Sequence, residues 1–134
     1  MRVHRLVAIG ALLVAGMATS ACAQSSDPAI DRARHFYAAV SHQDGAAACA
    51  DLAPDAAKAL EQQEGKPCAE AILGQGLPDM VGDADVEVFG SMAQVTFPDE
   101  TAFLSRYGDD WLLVAVGCTP VTGDRPHDCS VEVG

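Results

Sequence analysis

A run of apolar residues near the N-terminus sets the limit on what this chain can fold into. Residues 6–18 are all apolar or glycine, Arg2 and Arg5 precede them, and small residues lead from them to Cys22. A basic start, a short apolar stretch and small residues are the three parts of a cleavable export signal. As a helix the stretch rises about 20 Å, short of the roughly 30 Å hydrocarbon core of a bilayer. We therefore predict that residues 1–21 are a signal peptide that is removed, which leaves enough chain for one domain.

Cys22 stands where a lipid can be attached. Ser20-Ala21-Cys22 resembles the lipobox of bacterial lipoproteins, in which cleavage precedes a cysteine that carries diacylglycerol, although Thr19 stands where that motif usually has leucine. We predict that Cys22 is lipidated and that residues 22–26 form a short tether to the folded domain. The protein is then expected to be exported and anchored at the extracytoplasmic face of the cell membrane.

A second cleavage site overlaps the first. Ala21-Cys22-Ala23 is a small-x-small sequence, and cleavage after it releases a soluble, secreted protein that begins at Gln24. The choice between a lipid anchor and soluble secretion therefore depends on which peptide bond is cut.

The mature chain keeps an even set of cysteines under either cleavage. In an exported protein such a set is interpreted first as two disulfides. Of the three possible pairings we favour the two that are local in sequence, because each would join segments of one half of the chain. A zinc site that uses cysteine together with His127 and Asp128 is the alternative, but the sequence has no CxxC pair. The four residues are Cys49, Cys68, Cys118 and Cys129.

The chain is strongly acidic. Its 134 residues include 8 basic and 19 acidic side chains, for a net charge of −11. Arg2 and Arg5 are the only charges before Cys22, so removal of the signal changes the net charge to −13. Such a protein is a poor partner for nucleic acid, whose phosphates must be neutralised by lysine and arginine, and for anionic lipid headgroups. The acids are scattered, which is typical of a surface that keeps a protein soluble.

The first half of the mature chain is predicted to be helical. Ser26 or Asp27 can cap a helix that Pro28 opens, and apolar residues then recur at three- and four-residue spacing. We expect Gly45 to end this helix. Three more helical segments are predicted: residues 46–51, Pro54 to Glu64 with Gly65 as its C-cap, and Pro67 to about Leu73.

The second half is predicted to be a meander of antiparallel strands. Polar and apolar residues alternate, and glycine, proline and aspartate mark the turns between the segments. The strands are predicted at residues 85–89, 92–97, 101–107, 111–116 and 128–133, with a loop over 119–126. Helices followed by strands indicate an α+β fold in one domain, residues 27–134, with the N-terminal helices packed on the sheet.

Two stretches resemble the NTF2-like (cystatin-like) fold, an α+β cone whose curved antiparallel sheet wraps a helix. One runs from Phe36 to Cys49 and is similar to the family's helix, short gap and small-residue helix. The other, residues 103–111, is similar to its strand, Gly-Asp turn and tryptophan. The ending around Gly117-Cys118-Thr119-Pro120 and His127-Asp128-Cys129 resembles that of small actinobacterial lipoproteins. The resemblance implies a domain that can be either an isomerase-like enzyme or a binding module.

No set of residues in the sequence has the spacing of a known catalytic or metal site. We interpret His35, beside Arg32 and Arg34, as part of a solvated helix flank, and we interpret Trp111, Tyr37 and Phe103 as core. The other polar candidates are better explained by surface or turn positions: His42, His127, Ser91, Asp99-Glu100 and Asp109-Asp110. We therefore predict no catalytic residues, no metal and no cofactor.

The expected function is that of a membrane-tethered extracytoplasmic domain. It would be held by the lipid on Cys22 and would bind a small ligand or a partner protein without catalysis. The alternative is a small-molecule enzyme of the ketosteroid-isomerase type, with acid and base residues in a pocket inside the cone.

Overall fold

The computed structural model describes residues 27–79, 82–121 and 127–133. The predicted signal peptide, the lipidation site Cys22, the tether and residues 122–126 of the predicted loop lie outside the described residues. Within them, helices precede strands along the chain. The helical elements are α1 (Pro28–Ser41), α2 (Gly45–Asp51), α3 (Pro54–Glu64), α4 (Cys68–Ala71) and a 3-10 turn (Ile72–Gly74). The strands are β1 (Asp85–Phe89), β2 (Met92–Thr96), β3 (Thr101–Tyr107), β4 (Asp110–Thr119) and β5 (Asp128–Glu132).

The five strands form one antiparallel sheet in the order β1-β2-β3-β4-β5, and the sheet does not close. This confirms the predicted α+β class and the antiparallel meander. Glycine opens two of its tight turns: Gly90 (φ 62) between β1 and β2, and Gly108 (φ 64) between β3 and β4. Glycine at the first central position is what a type II′ hairpin turn requires. The pairing of β3 with β4 shifts register at Phe103, which bends the sheet.

Helix α1 packs against one face of the sheet because its apolar stripe is continuous. Asp27 caps its first turn by accepting a hydrogen bond from the N–H of Ala29 at 2.9 Å. Among the described residues the space between helices and sheet is occupied by fully buried side chains, which include Phe36, Tyr37, Leu60, Ile72, Val95, Leu104, Leu113 and Val116. Tyr37 meets Phe36 and Phe97 edge to face, with ring centroids 5.0 and 5.6 Å apart. Trp111 is also buried, as predicted.

The two disulfides join Cys49 to Cys68 and Cys118 to Cys129. The first links α2 to α4, and the second links the neighbouring strands β4 and β5. These are the two pairings that the sequence favours. Because all four thiols are used in disulfides, the alternative zinc site loses its sulfur ligands.

The role predicted for Gly45 is wrong. Helix α1 ends at Ser41, and Gln43, not glycine, takes the left-handed conformation after it (φ 59). Gly45 begins α2 and lies against α4, where a Cβ atom would fall 1.9 Å from the carbonyl oxygen of Ala69. The sequence requirement at this position is therefore for close packing of two helices, and not for a turn.

Candidate functional site

A buried carboxylate joins α1 to α2. Asp51, the last residue of α2, is 1% exposed. Its Oδ1 accepts a hydrogen bond from Nη1 of Arg32 at 2.7 Å, and its Oδ2 lies 2.5 Å from Nδ1 of His35. Arg32 and His35 are three residues apart on α1, so they share one face of the helix. A carboxylate that leaves water needs such partners, because a buried charge without them is strongly destabilising.

The histidine of this cluster remains open to solvent. The side chain of His35 is 64% exposed, and with Arg32, Pro28 and Asp31 it lines a surface groove of about 580 Å³. Nδ1 of His35 faces Asp51, so Nε2 is the ring nitrogen that is directed away from the carboxylate. The prediction that His35 lies on a solvated helix flank agrees with its exposed side chain. The sequence did not predict its contact with Asp51.

A second polar pair lies inside the fold. The hydroxyl of Tyr37, on α1, accepts a hydrogen bond from the N–H of Gly117, on β4, at 3.3 Å. Glu100, at the β2–β3 turn, is 5% exposed, and burial raises the pKa of its carboxyl against the opposing effect of hydrogen bonds from Tyr37 and Gly117. Burial, together with the hydrogen bond and charge of Glu100, raises the pKa of Tyr37. Oε1 of Glu100 has no hydrogen-bond partner among the described residues. The prediction that Glu100 belongs to a turn is confirmed, but the sequence did not predict that its side chain is buried.

Replacing Glu100 by glutamine is expected to flatten the pH dependence of folding stability. Because the pKa of folded Glu100 is raised above its ordinary value of 4.5, the folded state holds this proton more tightly than the unfolded state does. The resulting stabilisation is complete below the unfolded pKa and is lost as the pH rises through the folded pKa. The free energy of unfolding of Glu100→Gln should therefore increase relative to wild type as the pH rises above the ordinary carboxyl value of 4.5.

Urea denaturation at each pH measures this difference. The matched control is Glu87→Gln, because Glu87 is an exposed glutamate of β1. Its difference from wild type should stay flat over the same range. If the two variants gave the same profile, Glu100 would not be the group that responds to pH.

An apolar patch is exposed at the hairpin that joins β1 to β2. Val88 is 52% exposed, Phe89 62% and Met92 40%. Phe89 and Met92 are opposite each other in the strand register, so their side chains are neighbours on one face. Val88 lies on the opposite face of β1, so exposed apolar side chains flank this end of the strand on both faces. We call these three residues the hairpin patch. A cluster of this kind beside a free sheet edge is typical of an interaction surface.

The remaining sequence candidates are dispersed. Ser91 lies in the β1–β2 turn, Asp109 lies in the β3–β4 turn, and the ring of His127 packs edge to face on Phe103 at 5.2 Å. Within residues 27–79, 82–121 and 127–133, no three His, Cys, Asp or Glu side chains are grouped as a metal site would need. Over the same residues, no helix combines the length and apolar character needed to span a bilayer.

Comparison of the chain with protein-family models, with curated proteins and with solved structures finds no significant match. The residues themselves must therefore supply the functional argument. They offer three features: the Asp51–His35 pair beside a groove, the internal Tyr37–Glu100 pair, and the hairpin patch.

Proposed function

We propose that this chain is an exported lipoprotein, anchored through Cys22, whose folded domain binds a partner protein at the extracytoplasmic face of the membrane. The observation that carries the proposal is the hairpin patch. Among the described residues these three large apolar side chains remain 40–62% exposed, and exposed apolar surface of this kind marks interaction sites. The proposal includes the NTF2-like cone and the kinship with small actinobacterial lipoproteins that the sequence resembles.

The charge of the domain supports binding to a protein over binding to the bilayer. The part of the chain that follows the signal carries a net charge of −13, and anionic lipid headgroups repel it. A tether of five residues, 22–26, reaches at most about 18 Å. The anchor therefore keeps the domain close to the membrane, while the acidic surface keeps the hairpin patch free for a partner.

Site-specific photo-crosslinking in intact cells tests the partner. The photoreactive amino acid p-benzoylphenylalanine replaces Phe89 in the full-length chain, and the control places it at Gln63, an exposed position on α3. We expect a discrete crosslinked product from position 89 and none from position 63. The absence of a product at position 89, with the protein exported and folded, would refute the proposed function.

Mass spectrometry of the membrane fraction tests the anchor separately. We expect a mature N-terminus at Cys22 that carries the mass of a diacylglyceryl group. A mature protein that begins at unmodified Gln24 would refute the lipid anchor and support soluble secretion.

The Tyr37–Glu100 pair supports a second candidate, a small-molecule enzyme of the ketosteroid-isomerase type. In that chemistry a tyrosine and a carboxylic acid kept neutral by burial donate hydrogen bonds to a developing oxyanion. Tyr37 and Glu100 are buried together, and burial raises the pKa of both groups. The packed side chains around them leave partner binding as the better-supported proposal.

The phenol 2-naphthol, whose fluorescence reports its ionisation, is the probe for this alternative. Saturable binding to the wild-type protein that is lost in Tyr37→Phe would support the enzyme. Unchanged naphthol fluorescence in the presence of either protein would contradict it.

A further inference from the structure

We propose that β1 is a docking strand that pairs with an extended segment of a partner protein, in which basic side chains alternate with apolar ones. The proposal rests on the proposed partner binding and adds its mode and the chemistry of the partner. It is carried by the free edge of β1, by the hairpin patch and by the two exposed acidic side chains, Asp85 and Glu87, that alternate with the valines of this strand.

The edge of the sheet is available at β1. Within the described residues β1 pairs with β2 on one side, and the strand order places it at the margin of the sheet. The two-residue turn at Gly90 and Ser91 makes Phe89 and Met92 the pair that closes the hairpin. The closing pair of such a hairpin is hydrogen-bonded, and hydrogen-bonded pairs alternate with non-hydrogen-bonded pairs along an antiparallel ladder. Val86 and Val88 belong to the non-hydrogen-bonded pairs, so their N–H and C=O groups are expected to face the free edge.

Side chains alternate between the two faces of β1. Val86 and Val88 lie opposite Val95 and Ala93 on the face that carries the helices, and Val88 remains half exposed because the helices do not cover it. Asp85 and Glu87 are exposed on the other face, together with Phe89 at the hairpin end of the strand. A strand added at this edge would place its side chains beside these residues on the same two faces. Lysine or arginine at alternate positions would then meet the acids, and apolar residues between them would meet the valines.

This charge pattern argues against a second copy of the chain as the occupant. When two copies of β1 pair antiparallel about their centre, Glu87 lies opposite the Glu87 of the other copy, and like charges directly opposite are destabilising. The tether of the chain itself, residues 23–26, contains no basic residue. The acidic side chains therefore protect the edge from self-association and leave it open to a strand of opposite charge, whose approach they accelerate.

The binding test uses a fluorescent heptapeptide in which valine and lysine alternate. It is titrated against the full-length protein purified in detergent and followed by fluorescence anisotropy. One control peptide has glutamate in place of lysine, and another has the same charge but N-methylated backbone amides that cannot pair with a strand. We expect the valine–lysine peptide to bind at least about tenfold more tightly than either control.

A substitution at the edge separates strand addition from simple charge attraction. Val88→Pro removes an N–H that faces the free edge and leaves the charge and the β1–β2 ladder intact, a position where sheets tolerate proline. Val88→Thr keeps the N–H and is the matched control. We expect Val88→Pro to weaken peptide binding about tenfold and Val88→Thr to leave it unchanged. Equal binding of the N-methylated peptide, or wild-type affinity in Val88→Pro, would overturn the proposal.

The same substitution in the crosslinking strain distinguishes failure of this inference from failure of the proposed function. Loss of the position-89 product in Val88→Pro, with retention in Val88→Thr, supports strand addition. A product that persists in Val88→Pro would leave partner binding intact and refute the docking strand. Sedimentation tests the remaining occupant. If the wild-type protein sediments as a dimer and the Val88→Pro variant as a monomer, the occupant is a second copy, and the proposal is overturned.

Discussion

Replacing Gly45 by alanine is expected to destabilise the fold by about 3 kcal/mol. The added methyl group would lie 1.9 Å from the carbonyl oxygen of Ala69, and both partners belong to helical segments. Backbone atoms cannot turn aside as a long side chain can, so α2 and α4 must separate to make room. The Cys49–Cys68 disulfide joins the same two helices, which restricts that movement and keeps the overlap from being relieved.

Urea denaturation followed by circular dichroism measures this loss. Gly74→Ala is the matched control, because a Cβ atom at Gly74 meets nothing within 4 Å and the residue does not need a positive φ. Its free energy of unfolding should stay within about 0.5 kcal/mol of wild type or rise slightly. Equal stability of the two variants would show that the contact between α2 and α4 yields easily.

Removal of the Cys49–Cys68 disulfide is expected to lower the free energy of unfolding by about 3 kcal/mol. The two cysteines are 19 residues apart, so the bond restricts a sizeable loop of the unfolded chain. The double substitution Cys49→Ala and Cys68→Ala removes the bond and leaves no free thiol. Urea denaturation in the absence of reductant measures the effect. It would be contradicted if the urea concentration at the midpoint and the dependence of the free energy on urea both stayed unchanged.

The two substitutions should also depend on each other. Without the disulfide, α2 and α4 are freer to separate, so Gly45→Ala should be less costly in the double-alanine background than in wild type. A double-mutant cycle measures this coupling. Additive effects would mean that the disulfide does not hold the two helices at their observed distance.

Much of the fold was predictable because its signals are local. Pro54 and Gly65 bracket α3 at the predicted residues, since proline suits the first turn of a helix and glycine adopts the left-handed conformation that ends it (φ 65). The hairpin turns and the sequence-local disulfides followed from the same kind of short-range information. Gly45 was misassigned because its neighbour, Ala69, is distant in sequence and no local pattern reveals it.

The candidate sites were largely hidden for the same reason. Asp51 and His35 are 16 residues apart, and only the crossing of α1 with α2 brings them together. Glu100 follows a proline and an aspartate, a composition typical of an exposed turn, yet its own side chain is buried beside Tyr37 and Gly117 while Pro98 and Asp99 remain exposed. The hairpin patch could not be predicted either, because alternation along β1 does not reveal how far the helices cover the sheet.

The placement of the two disulfides has a mechanical consequence. One closes within the helical half and the other within the sheet, so no sulfur bridge joins the two layers. A protein held at its N-terminus by a lipid and at β1 by a partner would carry tension from α1 into the sheet. That load would pass through packed side chains, the Tyr37–Gly117 hydrogen bond and the hydrogen bond from the N–H of Ala53 to the carbonyl oxygen of Leu113. Under force the helical layer and the sheet are expected to separate from each other first, each still stapled internally.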